Sequence, residues 1–157
     1  APQVQQINKR GDAYSEGPKN RWSGPEFEGL TDIDLLDGKF LVIKQGEGLV
    51  RMFSNSVIST NVTGLLGNDS LSGATKLAVD ATYIYVADPS GKRILVFTKS
   101  RGANVDYVDL VAQYKYTGTG DIFSNIVDIK VDGTSIYVLD GAKVYKLAKS
   151  EFSSFAY

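Results

Sequence analysis

Cysteine and histidine are both absent from this 157-residue chain. Without cysteine there is no disulfide, no thiol nucleophile and no thiolate-held zinc. Without histidine the commonest general base and transition-metal ligand is missing, so a Ser-His-Asp triad is excluded within the chain. Any catalysis would rest on carboxylates, lysine, tyrosine or a hard cation held by oxygen. No apolar run approaches the roughly 18 residues that span a bilayer, so no membrane insertion is expected. Neither sign of charge prevails: 17 Lys and Arg stand against 18 Asp and Glu, for a net charge of -1. The isoelectric point near 5.4 disfavours a general nucleic-acid binder, which needs a basic excess to neutralise phosphates.

What is present fits a folded domain. Hydrophobic residues make up 43% and charged residues 22%, and the length suffices to bury a core. The opening Ala1-Pro2-Gln3, without methionine, is compatible with cleavage after a small residue on export or with simple trimming. Two Asn-x-Ser/Thr triplets, at Asn61 and Asn68, are glycosylation sequons, a pattern that often arises by chance.

Repetition is the strongest signal. Three segments align: Leu30 to Phe53, Ala74 to Phe97 and Ile126 to Leu147. Each reads as strand, tight turn, strand, turn, strand, from short β-branched and aromatic runs bounded by Gly, Asp and Pro. The aspartates Asp37, Asp80 and Asp132 mark the expected register, 43 and 52 residues apart, the spacing of one four-stranded propeller blade with its loops. Asp132-Gly133 and Asp140-Gly141 read as hairpin dipeptides in which glycine accepts a positive φ. Fourth strands are expected at Ser56 to Val62 and Val108 to Tyr116. The third unit lacks one, and Gln3 to Asn8 is expected to complete a last sheet. Lys9 to Trp22 reads as a long connection. The division is therefore an N-terminal strand and arm over 1–26, then repeats over 27–157, at about 27–63, 71–116 and 123–152.

The second unit resembles the NHL repeat. Leu77-Ala-Val-Asp80, Ile84-Tyr-Val-Ala-Asp88 and Arg93-Ile-Leu-Val-Phe97 follow that family's run of apolar strand, Tyr-Val-Ala-Asp strand, polar turn, arginine and apolar strand. The third unit keeps Val131-Asp132, Ile136-Tyr-Val and Asp140 but carries Lys143 where arginine is usual, and the first has Lys44 in place of Asp88. The resemblance implies an all-β chain of three four-stranded antiparallel propeller blades, similar to modules of larger bacterial proteins. Propellers close with typically four to eight blades, so three would leave open edges. Two arrangements answer this: a homodimer closing as a six-bladed ring, or half of a larger propeller shared with another polypeptide. Closed two-fold assemblies are the commonest oligomers, which favours the dimer.

The resemblance implies a binding or assembly module rather than an enzyme, with no cofactor, no metal and no catalytic residue assigned. Its partner would be a protein or a glycan, and its placement extracellular or at the cell surface. A structural subunit of a surface assembly is the rival reading. The zinc lyases among similar propellers depend on histidines that this chain lacks. Asp32, Lys76 and Asp128 hold equivalent positions early in each first strand and would approach a central channel. Trp22 is the candidate interface anchor, or equally a staple for the N-terminal arm. Asp88, Arg93 and Asp140 read as structural turn residues. The loops Gly64 to Gly67 and Gly118 to Gly120 do not join strand to helix as a phosphate cradle would.

Overall fold

A computed structural model describes residues 3–14, 17, 20–36, 39–53, 56–59, 61–63, 65, 69–99, 107–115 and 120–149. These form an all-β chain with one short 3-10 turn at Pro25–Phe27. Strands β1 (Gln3–Gln6), β2 (Lys9–Arg10), β3 (Ala13–Tyr14) and β4 (Asn20–Ser23) precede the repeats. Sheet I is β5 (Leu30–Leu36), β6 (Lys39–Lys44), β7 (Gly48–Phe53) and β8 (Ser56–Ser59), antiparallel throughout. A short β9 (Asn61–Thr63) follows. Sheet II contains β10 (Lys76–Val79), β11 (Tyr83–Asp88), β12 (Arg93–Lys99) and β13 (Tyr107–Lys115), with β9 added outside β13. Sheet III has three strands, β14 (Ile126–Val131), β15 (Ser135–Asp140) and β16 (Lys143–Ala148).

Pairing fixes which residues are equivalent. Asp32 lies opposite Ile43, Lys76 opposite Ala87 and Asp128 opposite Leu139. Sheets I and III even share an irregularity, a register shift between Leu30 and Asp32 and between Ile126 and Asp128. This register corrects one marker. Leu35 pairs with Phe40 as Val79 pairs with Ile84, so Leu36, not Asp37, is the counterpart of Asp80. The two hairpins are equally long, over 36–39 and 80–83, so the aspartate of the first unit stands one position later within the turn, and Asp37 itself lies outside the described residues.

The sheets stack face to face, with β10 lying beside β5 on one side and β14 on the other. Side chains alternate across a strand, and sheet II uses both faces. Ile84, Val86, Leu95 and Phe97 pack with Leu41, Ile43 and Leu49 of sheet I. Tyr85, Ala87, Ile94 and Val96 point the other way and pack with Ile129, Ile136 and Val138 of sheet III. This is why β11 and β12 are nearly continuous apolar runs: a sheet covered on both sides has no polar face to alternate with.

Three expectations change. Gln3–Gln6 does not complete sheet III but pairs antiparallel with Asn20–Ser23, and among the described residues β16 is the edge of a three-stranded sheet. The expected connection between them holds the β2–β3 hairpin, whose Gly11 turns at φ 59. The stretch Ser56 to Val62 divides: β8 stays on β7, whereas β9 runs parallel to β13, with Asn61 opposite Tyr107. The outer edge of β13 carries backbone groups that need partners, and β9 supplies them. Among the hairpin glycines, Gly141 has the anticipated positive φ of 58, but Gly133 is not in the left-handed region.

Candidate functional site

The acidic residues of β5 act as stitches between sheets. Asp32 accepts the Ile33 N–H through Oδ1 (3.0 Å) and the Leu77 N–H of β10 through Oδ2 (2.7 Å). Asp34 repeats the pattern with Leu35 (2.7 Å) and Val79 (2.8 Å). The Thr31 hydroxyl adds a bond to the Thr75 carbonyl at 3.1 Å. Lys76 holds the same register position in sheet II, but an ammonium accepts no hydrogen bond. Correspondingly, the next N–H along, Ile129, turns to its own Asp128 Oδ1 at 2.9 Å. Asp32 is thus held within the junction, while Lys76 is half-buried and the Asp128 side chain 44% exposed.

Asp88 and Arg93 form a buried clamp. Arg93 Nε donates to Asp88 Oδ2 at 2.8 Å, while Asp88 Oδ1 accepts the Gly91 N–H at 3.1 Å. The far end of the guanidinium forks onto Asp69, at 2.7 Å from Nη1 to Oδ2 and 2.6 Å from Nη2 to Oδ1. Two parallel charge-assisted bonds suit the planar fork. The Arg93 hydrogen bonds hold the Asp69 carboxyl below its usual value against an opposing desolvation, and Asp69 in turn raises the Arg93 pKa. Asp69 was not legible as a partner, because it sits in a loop whose only sequence signal is the Asn68 sequon. Asp140, the Asp88 counterpart, instead caps the loop before β14, accepting the N–H groups of Phe123 and Asn125, each at 2.8 Å.

Trp22 lies half-buried on the outer face of sheet I, packed with Val4 and Leu30 against Phe27, Val42 and Val50. That is the staple arrangement: it ties the β1–β4 ribbon to the sheet.

A depression of about 720 Å³ opens between the β10–β11 and β14–β15 turns. Asp80, Thr82, Tyr83, Asp132, Thr134 and Lys149 line it. Asp80 Oδ1 accepts the N–H groups of Thr82 and Tyr83, both at 2.8 Å. Its Oδ2 accepts the Tyr85 hydroxyl (2.8 Å) and the Lys149 ammonium (2.7 Å). Lys149 also donates to the Asp132 carbonyl and stands 5.2 Å from the Tyr85 ring centre, a cation–π distance. Burial disfavours charge on Asp80, yet the bonds from Lys149, Tyr83, Thr82 and Tyr85 outweigh it and hold the carboxyl down at about 2. Desolvation, then the adjacent carboxylate, push the Tyr85 hydroxyl well above its ordinary value. Asp132 repeats the turn with Thr134 (2.9 Å) and Ser135 (2.7 Å), and those two bonds lower its pKa. The role of Lys149 was not legible, since it follows β16 in a polar stretch without a motif.

Among the described residues, no group of three or more acidic side chains is placed to hold a metal ion. Neither a protein-family profile nor a curated protein matches the chain.

Proposed function

We propose that this chain is a run of three NHL-like propeller blades acting as a non-catalytic interaction module. The observation that carries the reading is the fate of the carboxylates. Asp32, Asp34, Asp80, Asp88, Asp132 and Asp140 each accept at least two hydrogen bonds inside the fold. These bonds fix each carboxylate in a stitch, turn or cap, a structural role that accounts for it without a substrate. The side-by-side first strands and the two interleaved sheet junctions support the propeller reading. Val144, 67% exposed on the edge strand β16, supports growth of the assembly beyond one chain, with a second copy completing a six-bladed ring.

The binding end is the depression at Tyr83. It sets a half-buried ring beside the hydroxyls of Thr82 and Thr134, the combination that stacks on and hydrogen-bonds to a sugar. A glycan is therefore the favoured ligand there, ahead of a peptide. The test is an oligosaccharide array probed with the wild type and with Thr82→Arg, which fills the exposed rim without touching the core. Saturable binding lost in the variant is expected. Binding that the variant retains in full, or none by the wild type, would refute this placement of the site.

A further inference from the structure

Sheets II and III carry the same clamp positions with different occupants. Aligned on Ala74 and Ile126, Asp69 corresponds to Asp121, Ser70 to Ile122 and Asp88 to Asp140; the next turn is two residues shorter in sheet III, and strand pairing there makes Lys143, opposite Asp140, the counterpart of Arg93, opposite Asp88. In sheet II the Arg93 guanidinium bridges Asp88 and Asp69 and also reaches the Ser70 carbonyl at 3.4 Å. In sheet III both acids remain, but the arginine has become a lysine. Lys143 is exposed and makes no ion pair among the described residues. Where sheet II has a guanidinium, sheet III has a cavity of about 480 Å³ whose lining includes Asp121, Ile122, Asn125, Asp140, Lys143 and Tyr145.

The chemistry of that cavity is anionic and suited to a fork. Asp140 is only 8% exposed, and each of its oxygens accepts one backbone N–H, which leaves lone-pair capacity on both. The Asp121 side chain is 89% exposed and, among the described residues, is held by Lys92 at 3.0 Å, a surface pair of the kind worth little. It is free to exchange that partner for a better one. A lysine ammonium is a compact point charge and does not bridge two carboxylates as a planar guanidinium does. The backbone around the cavity is also set against its own preference: Phe123 has φ 65, and its N–H is held by Asp140.

We propose that this cavity is a vacant guanidinium site, and that its ligand is an arginine side chain presented by another protein. Arg93 within the same chain is the template for the bound geometry. The inference goes beyond the proposed function and stands on the repeat register alone. It holds or fails whether or not the Tyr83 depression binds sugar.

The test is amide NMR of the full chain titrated with a capped arginine amide, a capped lysine amide and guanidinium chloride. Expected are saturable millimolar shifts at Phe123, Asn125 and Gly141 with arginine, weaker with guanidinium alone, and weakest with lysine. Asp121→Asn, at an exposed position, should weaken arginine binding several-fold without disturbing distant amides. Lys143→Arg should rebuild the sheet II clamp, abolish the arginine shifts and raise the thermal midpoint. Three results overturn the proposal: no shift with arginine, shifts that survive Lys143→Arg, or shifts that appear only after Lys143→Ala, which would show that Lys143 fills the cavity itself.

Discussion

Asp80 shows how one carboxylate ties two sheets. It fixes its own turn through Thr82 and Tyr83 and receives Lys149 from the far end of sheet III. Its pKa lies near 2, below the ordinary 3.8, so the folded state prefers it charged. Linkage then fixes the sign: its contribution is fully present above about pH 4 and is lost as pH falls toward 2. Asp69 and Asp132 are lowered too and act in the same direction. Asp80→Asn is therefore expected to be less stable than the wild type at pH 6 and to lose less on acidification. Urea midpoints at pH 6 and pH 2.5 compare the two, and equal acid losses would assign the effect to other groups. Of these contacts, only the Asp88–Arg93 pair was readable beforehand, because both ends lie in one motif. Asp69 and Lys149 reach their partners across 24 and 69 residues, a distance that no local pattern encodes.

Among elements, the junction of sheets I and II has a tight point at Gly48. This residue opens β7 at φ 86, and a Cβ placed on it would lie 2.5 Å from Leu71 Cβ and 2.6 Å from the Leu71 carbonyl oxygen. Both the left-handed backbone and the close approach need glycine. Gly48→Ala should cost more than about 1 kcal/mol. Gly133→Ala meets nothing within 4 Å and lies outside the left-handed region, so it serves as the near-neutral control in the same denaturation series. The hairpins themselves were legible, since alternation and turn residues are local signals. The first unit misled at one point: Asp37 looked like the repeat aspartate, but the pairing of Leu35 with Phe40 puts Leu36 in that place. The β1–β4 pairing was not legible, because the chain between those strands reads as polar loop and its own hairpin strands are two residues long.

At the scale of the whole molecule, protection is unevenly shared. Sheet II is covered by sheet I on one face and sheet III on the other, and Tyr83–Asp88 and Arg93–Lys99 contribute most of the fully buried side chains. Among the described residues, β16 is an uncovered edge of sheet III, and the β1–β4 ribbon is tied down chiefly through Val4 and Trp22. Hydrogen exchange should therefore rank β11 and β12 slowest, with β16 and the ribbon fastest. Equal protection across the three sheets would mean that they open as one unit. The all-β class and the repeat order were readable from sequence, because each sheet is built mostly from neighbouring segments. The passage of β9 onto sheet II was not, since parallel pairing at an edge leaves no period in either strand.

That crossover also sets an order in time. As the chain leaves the ribosome, Asn61–Thr63 emerges 46 residues before Tyr107, the first residue it pairs with. At about 5–20 residues per second, the segment waits for seconds with its backbone unpaired. Sheet I can fold its own hairpins and meet β10 in that interval, but β9 finds its partner only once β13 is made. Slow codons placed between residues 63 and 107 would lengthen that wait, and nascent chains stalled there would present the unpaired strand to chaperones or to one another.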